Sequence, residues 1–175
     1  MTEAQLSNAM DAYGSTVYRL ALTRMQNIAD AEDVYQEVFL RLWKQAAEEW
    51  DGDRAKAWLI RTTLNRCADL HRFHLRRPVL SFAEIPDLAQ PEDESRELWE
   101  AVSRLPEKAR TAVHLYYAEG YSAEEISQLM HIPAATVRTR LHRARKQLKE
   151  LLGGIDDETC VSRSDGTNFG PQRAE

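Results

Sequence analysis

The feature that most constrains this chain is the break at Arg76-Arg77-Pro78 and the stretch behind it, Val79 to Glu94. Proline cannot continue a helical ladder, and it pushes the residue before it out of the helical region. The stretch that follows holds Pro86 and Pro91, several acids and no sustained period, as a tether does. On either side, apolar residues recur at steps of three and four, the spacing of one helix face. The pattern predicts an all-α chain of two small helical domains, residues 1–77 and 96–152, joined by a flexible linker at 78–95. A length of 175 residues with 43% hydrophobic content leaves room for two such cores. Beyond Leu152 the sequence GGIDDETCVSRSDGTNFGPQRAE is polar and aperiodic, so 153–175 is expected to be a disordered tail.

In the first domain, Met10, Tyr13, Val17, Leu20 and Ala21 predict a helix over Met10 to Gln26. Asp30 is placed to cap the next, whose centre is DVYQEVFLRLWK, Asp33 to Lys44. At 100° per residue Val34, Tyr35, Val38, Phe39 and Leu42 share one arc, while Asp33, Gln36, Glu37 and Lys44 share the other. Leu40 lies within the polar arc, an apolar residue among acids and an amide, as suits a protein partner. Trp43 falls on neither arc and stands between core and partner contact. A turn is expected at Asp51-Gly52-Asp53, followed by a third helix that carries Trp58, Leu59, Thr62, Thr63, Arg66 and Leu70.

In the second domain Leu98, Val102 and Leu105 mark a short helix ended by Pro106, and a longer one runs from Glu107 to Glu119 with Gly120 as its stop. Ser122-Ala-Glu-Glu125 is a capping box ahead of Ile126, Leu129 and Met130. His131-Ile132-Pro133 makes a tight turn. The last helix sets Val137, Leu141, Ala144 and Leu148 on its buried stripe and turns Thr139, His142, Arg143 and Lys146 outward, flanked by Arg138, Arg140 and Arg145. A short capped helix, a tight turn and a second helix with a basic face describe a helix-turn-helix, whose second helix enters the DNA major groove.

The net charge, 23 − 28 = −5, argues by itself against binding nucleic acid through bulk attraction. The charges are segregated, however. No acid interrupts Arg138, Arg140, Arg143, Arg145, Lys146 and Lys149, and Arg54 to Arg77 holds seven cations against the single Asp69. The bland alternative for Trp58 to Arg77 is a core tryptophan on a solvated basic helix. Cys67, His71 and His74, spaced four and three apart, are an incomplete zinc set without a fourth ligand. Glycine-rich phosphate loops and a nucleophile elbow are missing, so neither an enzyme nor a cofactor is expected. The polar, acidic start and the lack of a long apolar run predict a cytoplasmic chain with no membrane insertion.

DAEDVYQEVFLRLWK resembles the helix of sigma domain two that docks on RNA polymerase, and AWLIRTTLNRCADLHRFHLRR resembles the element that melts and reads the minus-ten promoter region. LPEKARTAVHLYYAEGYSAEEISQLMHIPAATVRTRLHRARKQLKE resembles sigma domain four. The likeness, to the extracytoplasmic-function (ECF) group of bacterial sigma factors, spans about Ala12 to Leu152 in the correct order. It implies core RNA polymerase, through clamp and flap regions, as a partner, with Asp33, Gln36, Glu37, Leu40 and Trp43 in contact. It implies promoter DNA as a second partner: Trp58, Arg61, Asn65, Arg72, Arg76 and Arg77 at the minus-ten element, Asn65 helping to hold a flipped base, and Arg138, Thr139, Arg140, His142, Arg143 and Lys146 at the minus-thirty-five element. An anti-sigma factor, able to hold the chain at the membrane, is a third. The alternatives are a stand-alone helix-turn-helix regulator, which leaves the outward Asp33, Gln36, Glu37 and Leu40 patch unexplained, and an inhibitory adaptor, which would predict a damaged minus-ten helix.

Overall fold

The structure, a computed structural model, describes residues 2–45, 52–76 and 93–153. Among the described residues seven α-helices follow one another: α1 (Glu3–Met25), α2 (Ile28–Lys44), α3 (Gly52–Arg76), α4 (Asp93–Ser103), α5 (Glu107–Val113), α6 (Ala123–Met130) and α7 (Ala134–Leu151). No strand occurs among the described residues. The tether expected at 78–95 lies almost wholly outside them, with Arg77; only its last residues enter, because α4 begins at Asp93. Residues 154–175, with Cys160, lie outside as well.

Three boundaries differ from expectation, two for a local reason and one through a contact with α1. α1 starts seven residues before Met10, because Thr2 and Gln5 form a capping box, Thr2 Oγ1 accepting from Gln5 N–H and Gln5 Oε1 from Thr2 N–H. Met10 itself is exposed. The cap of α2 is Asn27, whose side chain accepts from the Asp30 N–H, so Asp30 lies in the first turn instead. Gly52 and Asp53 are helical and do not form a turn: α3 starts where the Gly52 carbonyl accepts from the Tyr13 hydroxyl at 3.1 Å, and a Cβ on Gly52 would meet that hydroxyl at 3.2 Å.

The first core is the α1–α2–α3 bundle. Val34 and Val38 are fully buried and Leu42 nearly so, against Val17, Ala21, Leu59 and Cys67. Each such aliphatic side chain contributes on the order of 1.5–3 kcal/mol relative to exposure. The second core is built from α5, α6 and α7, with Val137, Leu141 and Ala144 facing Ala112, Leu115 and Ile126. Leu148 is half-buried at its edge.

The two halves pack on each other. Leu20 from α1 and Ile60 and Leu64 from α3 belong to the same buried cluster as Leu105, Val113 and Leu115. The helix expected over Glu107 to Glu119 also changes character. At His114 it widens into a π-helical turn, His114–Ala118, closed by the Glu119 N–H donating to the His114 carbonyl. Gly120, at φ 75°, then ends it as anticipated.

Candidate nucleic-acid and partner interface

Three outward faces sit on three helices, each held by a buried stripe on its other side. On α2, Asp33, Gln36, Leu40 and Trp43 are all exposed, Leu40 at 53% and Trp43 at 41%. Trp43 therefore belongs to the outer surface, which the 100° count alone leaves open. Glu37 is half-buried in an ion pair, its Oε1 2.9 Å from Arg41 Nε, and that hydrogen bond lowers its carboxyl pKa. Tyr35, assigned to the buried arc, is half-buried and packs edge-on to Tyr18 and tilted against Phe39. Gly14 permits this approach of α1 to α2, since a Cβ there would lie 3.0 Å from the Tyr35 hydroxyl.

On α3, Arg61, Asn65, Arg72 and Arg76 are exposed and Trp58 is half-buried. By the helical count these five fall within an arc of about 60°. The opposite side of the same helix carries Ile60, Leu64 and Cys67, all buried. The stripe ends in a concavity lined by Arg66, Asp69, Leu70, Arg72, Phe73 and Arg76. Phe73, half exposed among these arginines, is a candidate that sequence reasoning passed over. An aromatic interleaved with cations was its available signal. Arg72 Nη2 donates to Asp69 Oδ1 at 2.6 Å, the single acid on this face.

On α7, Arg138, Thr139, His142, Arg143 and Lys146 are exposed, while Arg140 is half-buried on the flank, about 100° from Thr139. The helix is presented by α6, whose Ser122–Glu125 capping box forms as expected, and by His131 in the left-handed conformation at φ 52°. Arg138 pairs with Glu124 of α6, both of them well exposed. Thr139 Oγ1 donates to the Ala135 carbonyl, 2.9 Å away, which leaves the methyl group and a free lone pair outward.

The set Cys67, His71 and His74 does not converge. Burial pushes the Cys67 thiol up to about 12, so it is protonated at neutral pH, whereas a zinc ligand is a thiolate. His71 Nε2 lies 3.8 Å from Glu107 Oε2, and His74 Nε2 lies 3.7 Å from Asp30 Oδ1. Among the described residues no helix is long and apolar enough to cross a membrane.

Comparison with known proteins adds to this geometry. Residues 9–77 match the family described as sigma-70 region 2, and residues 95–148 match sigma-70 region 4. The chain is 32% identical over 155 residues to the ECF RNA polymerase sigma factor SigM of Bacillus subtilis, covering 83% of this chain and 94% of that protein. It is 34% identical over 161 residues to the ECF RNA polymerase sigma factor SigE of Mycolicibacterium smegmatis, covering 86% of this chain but only 62% of that longer protein. Among solved structures it resembles the sigma factor RpoE in complex with the anti-sigma factor NepR from Bartonella quintana. The TM-score is 0.70 at 23% identity, covering 85% of this chain and 97% of that one, a likeness of fold alone.

Proposed function

This chain belongs to the ECF group of sigma-70-type RNA polymerase sigma factors, and from that membership we propose that it binds core RNA polymerase and directs it to a two-part promoter. It acts in the cytoplasm and does no catalysis of its own. Residues 1–77 form the polymerase-binding and minus-ten domain, 78–95 the linker, and 96–152 the minus-thirty-five domain. The α2 patch of Asp33, Gln36, Glu37, Leu40 and Trp43 meets the polymerase clamp. An exposed apolar pair ringed by polar groups has the composition of an interface, with aromatic anchor and polar rim.

The α3 stripe carries the reading furthest. Arginine at three exposed positions, with Asn65 among them and Trp58 beside them, combines phosphate neutralisation with donors for an unpaired base edge. A base lifted from the stack needs a pocket, and the shallow, open concavity lined by Arg72 and Phe73 beside this stripe supports the reading. Arg77 extends the same set. On α7, Arg143 and Arg138 offer bidentate donors to guanine, and Lys146 and Arg140 neutralise phosphate; Thr139 and His142 line the groove floor. The RpoE chain was solved with an anti-sigma factor, and an inhibitor of that kind is a third partner here, able to hold the chain at a membrane.

Transcription reconstituted from core polymerase, this chain and a cognate promoter tests the assignment. Initiation is expected only with the chain present. Arg143→Ala should weaken minus-thirty-five recognition by about 1–3 kcal/mol, the worth of one bidentate contact. If core polymerase with the chain initiates no better than core alone on any promoter, the sigma assignment fails, and the helix-turn-helix on α6 and α7 is that of a stand-alone regulator.

A further inference from the structure

Between α1 and α2 lies a groove open to solvent, walled by Gly14, Ser15 and Tyr18 on one side and by Glu32, Tyr35 and Gln36 on the other. Its volume of about 590 Å³ is within the range of sites that hold a small ligand. Two rings shape it. Tyr35 reaches from α2 towards α1, where a Cβ on Gly14 would stand 3.0 Å from its hydroxyl. Tyr18 meets that ring edge-on, with centroids 6.3 Å apart, and Phe39 backs it at 4.8 Å. Both tyrosines are half-buried, so the aromatic wall is held in place before anything enters, while Ser15, Glu32 and Gln36 stand exposed at the rim.

The charge around the groove has one sign. From Met1 to Tyr18 the chain holds Glu3 and Asp11 and no lysine, arginine or histidine. From Gln26 to Leu40 it holds Asp30, Glu32, Asp33 and Glu37 and again none. Asp11 is exposed one helical turn before Ser15, on the same face of α1. Glu37 is taken by Arg41, whereas Glu32 pairs with no cation among the described residues. A carboxylate at the rim of an aromatic-walled space selects a cation, which the ring attracts through its quadrupole and the carboxylate through its charge. Arginine suits these walls best. Its planar guanidinium can stack on a tyrosine ring while its N–H fork serves the acceptors of the rim, the Glu32 carboxylate, the Ser15 hydroxyl and the Gln36 amide oxygen.

We propose that this groove is the pocket in which the α2 surface anchors its protein partner, and that its occupant is a basic side chain, an arginine, of core RNA polymerase. The identity of the partner rests on the sigma-factor reading; the chemistry of the groove does not. Continuity with the α2 patch carries the assignment. By the helical count Glu32, Trp43, Gln36 and Leu40 lie within about 80° of one another on α2. A surface laid on the exposed Leu40 and Trp43 therefore reaches the mouth of the groove, and Gln36 belongs to both. The helix face alone is convex. The groove adds a concave site beside its apolar pair, where a charged side chain is partly withdrawn from water, as the dominant contacts of interfaces are. Ser15, Tyr18 and Glu32 become contact residues on this account, and α1 a second element of the binding surface.

Titration of the full chain with core polymerase, with melting temperatures measured alongside, tests the pocket. Ser15→Arg places a cation of the chain's own at the mouth. Ser15 is exposed on a helix and arginine is the better helix former, so the fold should hold while affinity falls about tenfold or more. Glu32→Gln should lose about fivefold at low salt and much less at high salt, where the attraction is screened. Tyr18→Leu should lose a similar factor, and Tyr18→Phe, which keeps the ring, should bind as wild type. Wild-type affinity in folded Ser15→Arg and Glu32→Gln would overturn the pocket and leave the sigma assignment standing. A loss in Glu32→Gln that salt leaves unchanged would overturn a cation as the occupant. Failure of the wild type itself to bind core polymerase would overturn the sigma assignment and, with it, the partner named here.

Discussion

His114 shows how much one buried side chain senses at the junction of the halves. Its Nδ1 shares a hydrogen bond with Thr23 Oγ1 at 3.3 Å, and Nε2 is buried without a hydrogen-bond partner, 3.8 Å from Glu119 Oε1. Burial pulls its pKa below the ordinary value, Arg19 adds to the lowering, and only the Glu119 carboxylate opposes it. In the packed form the ring is therefore neutral at neutral pH. A freed His114 takes up its proton near pH 6.5, so the packed form holds its full stability above that value and loses it as the pH falls below. Melting temperatures between pH 7.5 and pH 5.5 should drop more steeply for wild type than for His114→Gln. Parallel curves would remove His114 from the pH dependence. Nothing in the one-dimensional pattern around His114 announces this position, because the π-helical turn that aims it at Thr23 shifts the helical count at that point.

At the scale of the element, α2 is the case in which periodicity was nearly sufficient. Val34, Val38, Phe39 and Leu42 are buried and Asp33, Gln36 and Leu40 are exposed, as a 100° step requires. Because Gln36 and Glu37 pack against nothing in the core, replacing both with alanine should leave the melting temperature within a few degrees of wild type. Polymerase affinity should fall on the order of tenfold or more, the loss of a few charge-assisted contacts, and a pull-down titration with core polymerase reads it directly. Unchanged affinity would count against α2 as the clamp-facing element. The ends of elements were less legible than their middles. The starts of α1 and α3 depend on Thr2 with Gln5 and on Tyr13 with Gly52, and the second of these joins residues 39 apart, beyond any local rule.

For the whole molecule the acidic net charge of −5 sets the expectation. Free chain should bind promoter DNA weakly, with affinity falling steeply as salt rises, since only a handful of phosphates can be neutralised at once. A titration by fluorescence anisotropy at two salt concentrations measures it, and tight, sequence-specific binding without polymerase would contradict the charge argument.

The all-helical class, the capping box at Ser122 and most of the outward residues of α2 and α7 were determined by the sequence alone. Each rests on interactions between residues a few positions apart, where 3.6 residues per turn and the chemistry of a cap leave little choice. Three other features were decided by tertiary structure. Trp43 joins the outer surface of α2. Arg110, one cation among many along the chain, is drawn inward to the carbonyls that end α1. The two helical blocks, which their patterns describe as separate, share Leu20, Ile60 and Leu64 in one buried cluster. The Arg110 contacts join residues 86 and 87 positions apart, and no local period encodes which cation of one block will meet which carbonyl of the other.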